Sequence, residues 1–166
     1  MNDFKDICSA LAGHRLPRWE ALPDLELYMD QVLSLTERFL GAYPGFDSKG
    51  LTASMVNNYV KLGVIPAPVK KRYSRVHLAR LLMVCLLKAA LPIASIGTLF
   101  SAALRDSTEE ALYNSFCDAF EATGTAAVEV VDTTAPAPIS VLYAALRSQA
   151  EQTLALQLLP SLDGEK

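Results

Sequence analysis

The chain has 166 residues, of which 51% are hydrophobic and 20% are charged, and its formal net charge at pH 7 is −3. This composition excludes a disordered chain, and the length suffices for one domain with a core or one domain with an appendage. The longest uncharged run, residues 89–104, is interrupted by Pro92 and Gly97 and is shorter than the roughly 20 residues of a membrane helix. We therefore expect a cytoplasmic protein with no membrane contact.

The hydrophobic pattern predicts an all-α fold with at most one small β-element. In chain order, we expect a short helix over residues 3–12 and a long helix from Asp24, after Pro23, to about Gly41. A short helix over 52–62 follows, capped by Thr52 and ended by Gly63. Further helices are predicted from Ser74 to about Ala90, from Pro92 to about Leu104, from Ser107 or Thr108 to about residue 123, and over residues 139–159.

Two segments do not fit a helix in this pattern. Pro66 and Pro68 lie two residues apart, which excludes a regular helix and favours a short extended loop or wing over residues 66–75. Val128 to Val131 has the composition of a short strand, although no partner strand is evident. The chain then divides into an N-terminal arm (1–22), a central unit (23–105) and a C-terminal helical region (106–166) for dimerisation or ligand binding.

The charges are distributed unevenly along the chain. Residues 48–105 contain nine basic residues and no acidic ones, while the other 108 residues carry all 18 acids and six basic residues. Four of the nine cations, Lys70, Lys71, Arg72 and Arg75, follow the two prolines directly. Such a split favours a polyanion-binding centre between acidic flanks.

No enzyme motif is recognisable. The sequence lacks the common nucleophile, dinucleotide, phosphate-loop and zinc-protease patterns, so we expect neither catalysis nor a cofactor. The three cysteines, Cys8, Cys85 and Cys117, are far apart and are predicted to be buried hydrophobes rather than zinc ligands or disulfide partners. His77 is expected to lie on the surface or to be partly buried.

The predicted helix over 52–62 has one polar face and one apolar face. Ser54, Asn57, Asn58 and Lys61 recur at helical spacing, opposite apolar residues that include Val56 and Tyr59. Asparagine can bond adenine in the major groove, and lysine can contact phosphate or guanine. This face is either an ordinary solvated surface or a DNA-reading surface, and the basic segment that follows it favours the second interpretation.

The stretch "TASMVNNYVKLGVIPAP…KRYSRVHLARL…ALPIASIGTLF" resembles the winged helix-turn-helix of MerR-type transcription regulators, and also an uncharacterised group of bacterial MerR-like proteins. The similarity lies in Thr52, Val56, Tyr59 and the run from Gly63 to Pro66, and continues with Lys71, Tyr73, Ser74, Leu78, Leu81, Ile96 and Leu99. It implies a helix-turn-helix with a short wing over 23–105 and additional helices on either side. The implied function is a regulator of transcription that binds double-stranded DNA as a homodimer, with helix 52–62 in the major groove and wing 66–75 on phosphates.

The sequence departs from that family at positions that matter for DNA contact. Asn57 and Asn58 stand where the family usually has an arginine and an aromatic residue, and the wing is shorter. An alternative is therefore a helical protein–protein interaction module that has lost DNA binding. A third interpretation is a sensor that binds a small molecule between the C-terminal helices; no effector is identifiable from the sequence.

Overall fold

The computed structural model describes residues 4–47, 49–131 and 135–163, and these residues form an all-helical protein. Short 3-10 turns lie at Trp19–Ala21 and Leu159–Asp163. None of the described helices is both long and apolar enough to span a membrane. The α-helices are α1 Phe4–Gly13, α2 Met29–Leu40, α3 Ala53–Lys61, α4 Arg75–Leu87, α5 Ile93–Ala103, α6 Glu109–Glu129 and α7 Ala137–Leu158.

Helix α3 forms where its capping signals place it. The Thr52 hydroxyl accepts a hydrogen bond from the Met55 N–H at 3.3 Å, which satisfies one of the free amides of the first turn. Gly63 follows the helix with φ of 72°, a left-handed conformation that glycine adopts without steric cost. The predicted bounds of 52–62 are therefore confirmed to within one residue at each end.

The predicted start of α2 at Asp24 is wrong. The helix begins at Met29, because Leu27 is instead paired with Tyr73 in an isolated antiparallel bridge. The Leu27 N–H donates to the Tyr73 carbonyl at 2.8 Å, and the Tyr73 N–H donates back at 2.9 Å. That pairing requires extended backbone, so the helix can start only after it. Tyr28 caps the helix, and its N–H donates to the Gln31 side chain.

The strand expected at residues 128–131 is also absent from this part of the described chain. Helix α6 begins after Thr108, whose hydroxyl accepts from the Ala111 N–H, and continues to Glu129. Val128 and Glu129 are therefore helical. The β-branched side chain of Val128 and the charged side chain of Glu129 do not interrupt the backbone hydrogen bonds of the helix. Strand propensity without a partner strand is a weak signal.

Helix α4 is the centre of the core. It packs against α2, α5 and α6, and residues 77–79 and 81–85 along it are buried. The N-terminal segment covers α6 on another side, where the Tyr113 hydroxyl donates to the Pro17 carbonyl at 2.9 Å and Arg18 pairs with Asp118 and Glu121. Residues far apart in sequence are thus joined through α6.

Helix α7 differs from the other long helices because none of its residues is buried. Its C-terminal half contacts the body of the protein. The Gln152 side chain donates to the Ala90 carbonyl at 3.0 Å, and Ala155 packs against the core. The turn after it, Leu159–Asp163, lies against α5.

Candidate functional site

Helix α3 presents its polar residues to solvent. Val56 and Tyr59 are buried, and this fixes which side of the helix faces the core. All four predicted contact residues on the other side are exposed: Ser54, Asn57, Asn58 and Lys61. The amphipathic pattern in the sequence therefore corresponds to a free, mostly uncharged polar surface about three turns long.

A short anchored segment connects α3 to the basic residues. After Gly63, the side chains of Val64 and Ile65 are buried, and both of their N–H groups donate to the Tyr59 carbonyl, at 3.0 and 3.3 Å. Pro66 and Pro68 then stiffen the chain before the next element. Only seven residues, 62–68, separate the end of α3 from Val69.

Residues 69–72, here named the basic turn, form a two-residue hairpin. The Val69 N–H donates to the Arg72 carbonyl at 3.2 Å, and the Arg72 N–H donates to the Val69 carbonyl at 2.9 Å. The two central residues, Lys70 and Lys71, have φ of 50° and 61°. Positive φ at both positions is the requirement of a type I′ turn, which usually contains Asn-Gly. Both lysines are exposed, and no acid of the described chain is within ion-pair distance of either.

The segment before α2 braces the basic turn. Arg72 stacks on Tyr28, with its guanidinium carbon 3.7 Å from the ring centroid, while Leu27 pairs with Tyr73 beside it. This arrangement keeps the Arg72 cation in one place and leaves part of it exposed to solvent. Tyr28 was not identified from the sequence, because no local pattern connects residue 28 with residue 72.

Arg75 is engaged more deeply than the other predicted contact residues. Its side chain is only 19% exposed, forms an ion pair with Asp24 at 3.5 Å, and has its guanidinium carbon 5.6 Å from the centre of the Trp19 ring. The structure thus brings Lys70, Lys71 and Arg72 together on the turn, whereas Arg75 lies at the first position of α4, against the N-terminal segment.

His77 helps to cap the N-terminal end of α4. It is buried, at 6% exposure, in contrast to the surface or partly buried position expected from the sequence. Its Nδ1 accepts a hydrogen bond from the Ser74 N–H at 2.9 Å, the role that glutamate or glutamine has in a capping box. Burial lowers the pKa of His77 below its ordinary value, which favours the neutral ring that this hydrogen bond requires.

Arg80 links the site to the C-terminal helices. Its guanidinium pairs with both oxygens of Glu109, in the first turn of α6, and donates to the Val64 carbonyl at 3.1 Å. Both side chains are largely buried, with 12% and 23% exposure. One arginine therefore joins α4, α6 and the segment that follows α3.

Two further observations on the described residues concern metal ligands and cysteine. They contain no cluster of three metal-ligating side chains. Burial raises the pKa of the Cys85 thiol to about 11, which removes its thiolate at neutral pH.

A cavity of about 620 Å³ lies between the end of α6 and the start of α7, with Val130, Ile139, Tyr143 and Arg147 among its lining residues. Its position corresponds to the space between C-terminal helices considered for a small ligand.

Comparisons with known proteins place most of the chain in a family without an assigned activity. The model of a family described as "Domain of unknown function (DUF1836)" matches residues 17–119, which include α2 to α5, the basic turn and half of α6. The search of curated proteins and the search of solved structures gave no match. The matched range contains every residue of the candidate site.

Proposed function

The chain belongs to the DUF1836 family, whose model covers more than half of it, and we propose that it is a DNA-binding transcriptional regulator. One observation carries this proposal. An exposed polar helix, α3, is followed within a few residues by a turn that holds Lys70, Lys71 and Arg72 outward, and no acid in the described part of the chain forms an ion pair with them. An acid-free stretch of 58 residues, 48–105, surrounds both in a chain that is acidic elsewhere.

The reading element of this proposal is α3. Its nine residues extend roughly 14 Å, and a B-DNA major groove about 12 Å wide admits a helix of this kind. Asn57 and Asn58 would contact base edges, while Ser54 and Lys61 would contact bases or phosphates. Helix α2 packs against α3 and would complete a helix-turn-helix, with the loop of residues 41–52 in place of a tight turn.

The basic turn would act as a short wing on the DNA backbone. Phosphate contacts release counterions, so each of them makes binding more sensitive to salt. Lys70 and Lys71 supply two exposed cations, and Arg72 supplies a third that is already oriented by Tyr28. Arg75 would contribute to the local positive potential and, once released from Asp24, to a direct contact.

The test is the salt dependence of binding to a mixed-sequence DNA duplex, measured by fluorescence anisotropy from about 50 to about 200 mM salt. We expect wild-type affinity to fall steeply with salt. Lys70→Gln/Lys71→Gln should reduce the slope of log affinity against log salt by about two units, because two phosphate contacts are lost. Both residues are exposed, so the variant should fold normally.

The matched control is Lys88→Gln/Arg105→Gln. It removes the same charge from the same acid-free stretch, but Lys88 lies at the far end of α4, roughly 20 Å from the turn. An equal loss of slope in both variants would contradict the assignment of the turn and indicate a diffuse field of charge. An unchanged slope in the first variant would contradict it directly.

The alternative is a helical protein–protein interaction module that no longer binds DNA. The engagement of Arg75 with Asp24 and Trp19 favours it, because this cation is already partnered within the chain. Absence of binding to any duplex at the lowest salt, with a folded protein, would support this alternative.

A further inference from the structure

The ion pair between Asp24 and Arg75, next to the basic turn, is a loose contact. The Arg75 Nη2 lies 3.5 Å from the Asp24 Oδ2, beyond the roughly 2.7–2.9 Å of a charge-assisted hydrogen bond. The Asp24 side chain is 84% exposed, so its carboxylate keeps most of its hydration while it faces the cation. An exposed pair of this kind contributes little to the stability of a fold.

The ion pair of Arg80 with Glu109 shows what a structural pair looks like in the same protein. Arg80 hydrogen-bonds both oxygens of the Glu109 carboxylate, both side chains are largely buried, and the guanidinium also donates to the Val64 carbonyl. Arg75 has no such network, because its buried Nε has no hydrogen-bond partner among the described residues. The fold therefore satisfies the Arg75 guanidinium incompletely, and a better acceptor can replace Asp24.

Asp24 lies in a segment that can release Arg75 without disturbing the core. Leu22 and Leu27 are buried and anchor the chain on either side of this segment. Between them, residues 24–26 are exposed and belong to no helix. Rotation of the Asp24 side chain moves its carboxylate away from Arg75 while both anchors stay in place, at the cost of one exposed ion pair.

The acidic segment that contains Asp24 is held beside the cations of the candidate site. Residues 19–37 contain five acidic residues and no basic one, and Leu27 within them pairs with Tyr73, between Arg72 and Arg75. A DNA backbone that met the basic turn would therefore come close to Arg75 as well. Arginine can bind phosphate through two parallel N–H groups, which is a stronger contact than a single carboxylate oxygen at 3.5 Å.

We propose that Asp24 is an internal competitor of the DNA backbone: it holds Arg75 in the free protein, and a phosphate takes its place on binding. This inference rests on the proposed function and adds an autoinhibitory contact to the same site. Phosphate contacts carry no sequence information, so the competition weakens binding to every duplex. A larger share of the total affinity then depends on the base contacts of α3.

The test compares the affinities of the wild type and Asp24→Asn for a mixed-sequence duplex, by fluorescence anisotropy at about 100 mM salt. We expect Asp24→Asn to bind roughly 5-fold more tightly, because a phosphate no longer has to displace the carboxylate from Arg75. In an Arg75→Gln background the same substitution should change the affinity by less than about 2-fold, since the competition requires both residues.

The matched control is Glu26→Gln, which removes the same charge from the same exposed segment. Glu26 forms no ion pair within the described residues. Its substitution should therefore have a smaller effect than Asp24→Asn, and the effect should be the same with and without Arg75. Arg75→Met, which keeps the apolar stem, repeats the test should Arg75→Gln lose helical content in circular dichroism.

Equal affinities of the wild type and Asp24→Asn would overturn this inference alone and leave the proposed function in place. A gain from Asp24→Asn that persists undiminished without Arg75 would also overturn it, because the effect would then be one of general charge. A wild type that does not bind, together with an Asp24→Asn variant that does, would support the inference most directly. Failure of both proteins to bind at the lowest salt would overturn this inference and the proposed function together.

Discussion

Lys70 and Lys71 occupy backbone conformations that lysine adopts at a cost. For residues other than glycine, a left-handed conformation costs roughly 1–2 kcal/mol each, and asparagine and glycine tolerate it best. The chain nevertheless has two lysines at these positions. Strained residues of this kind cluster where function requires a particular side chain. Under the proposed function, that feature is positive charge at the tip of the turn.

We predict that Lys70→Asn/Lys71→Gly stabilises the protein by about 1 kcal/mol, since Asn-Gly is the preferred pair for this turn. The same variant should weaken DNA binding and flatten its salt dependence. The control, Lys70→Ala/Lys71→Ala, removes the same charges but retains the strained β-carbons, so it should weaken binding equally without stabilisation. Thermal unfolding of the two variants tests the stabilisation, and fluorescence anisotropy tests the loss of DNA binding. Equal melting temperatures would show that the turn stores no strain.

His77 couples the stability of the same region to pH. Its folded pKa is lowered by burial, so the unfolded chain takes up a proton before the folded chain does. The stability that depends on neutral His77 is therefore fully present above the ordinary pKa of about 6.5 and is lost as pH falls below it. Protonation would also convert Nδ1 into a donor and break its bond from the Ser74 N–H.

We predict that His77→Gln weakens this acid sensitivity. Glutamine at this position can accept the same capping hydrogen bond and does not titrate. Chemical unfolding at pH 7.0 and pH 5.5, values chosen to bracket the ordinary pKa of about 6.5, should show a smaller loss of stability in the variant than in the wild type. Identical losses would mean that other groups cause the pH dependence.

At the scale of elements, the contact of Arg80 with Glu109 determines how α6 is attached to α4. We predict that Arg80→Met destabilises the protein by about 2 kcal/mol, because it leaves a largely buried carboxylate and the Val64 carbonyl without their donor. Glu109→Gln alone should cost less. In the double variant the two losses should not add, with a coupling of at least about 1 kcal/mol in denaturant unfolding.

A matched control for this pair is Glu110→Gln, in the same first turn of α6 but exposed. It should change the free energy of unfolding by less than about 0.5 kcal/mol. Additive losses in the double variant would contradict a direct interaction between Arg80 and Glu109.

The elements that could be predicted from the sequence are those whose signals are local. The cap at Thr52, the stop at Gly63 and the polar spacing of α3 lie within twelve residues, and the structure has all three. The start of α2 and the brace on Arg72 could not be predicted, since they depend on pairing between residues 27–28 and 72–73. The extension of α6 to Glu129 was not predicted, because a short apolar run such as residues 128–131 is compatible with both helix and strand.

At the scale of the whole molecule, the charge distribution accounts for an acidic protein with a basic site. Helix α6 holds the acids Asp118 and Glu121, which form ion pairs with Arg15 and Arg18 of the N-terminal segment. The cations of the basic turn are left without such partners within the described residues. A field with this asymmetry would orient a polyanion toward α3 and repel it elsewhere.

The pairing of Leu27 with Tyr73 also determines when the site can form during folding. Its two hydrogen bonds close a loop that contains α2 and α3, and closing a long loop costs entropy that only the packed helices around it can offset. We therefore expect the contact of Tyr28 with Arg72 to form late, after α2 and α4 have met. A partly folded chain would expose Lys70, Lys71 and Arg72 before Tyr28 holds Arg72 in place. Under the proposed function, such a chain would bind DNA fully only once the fold is complete.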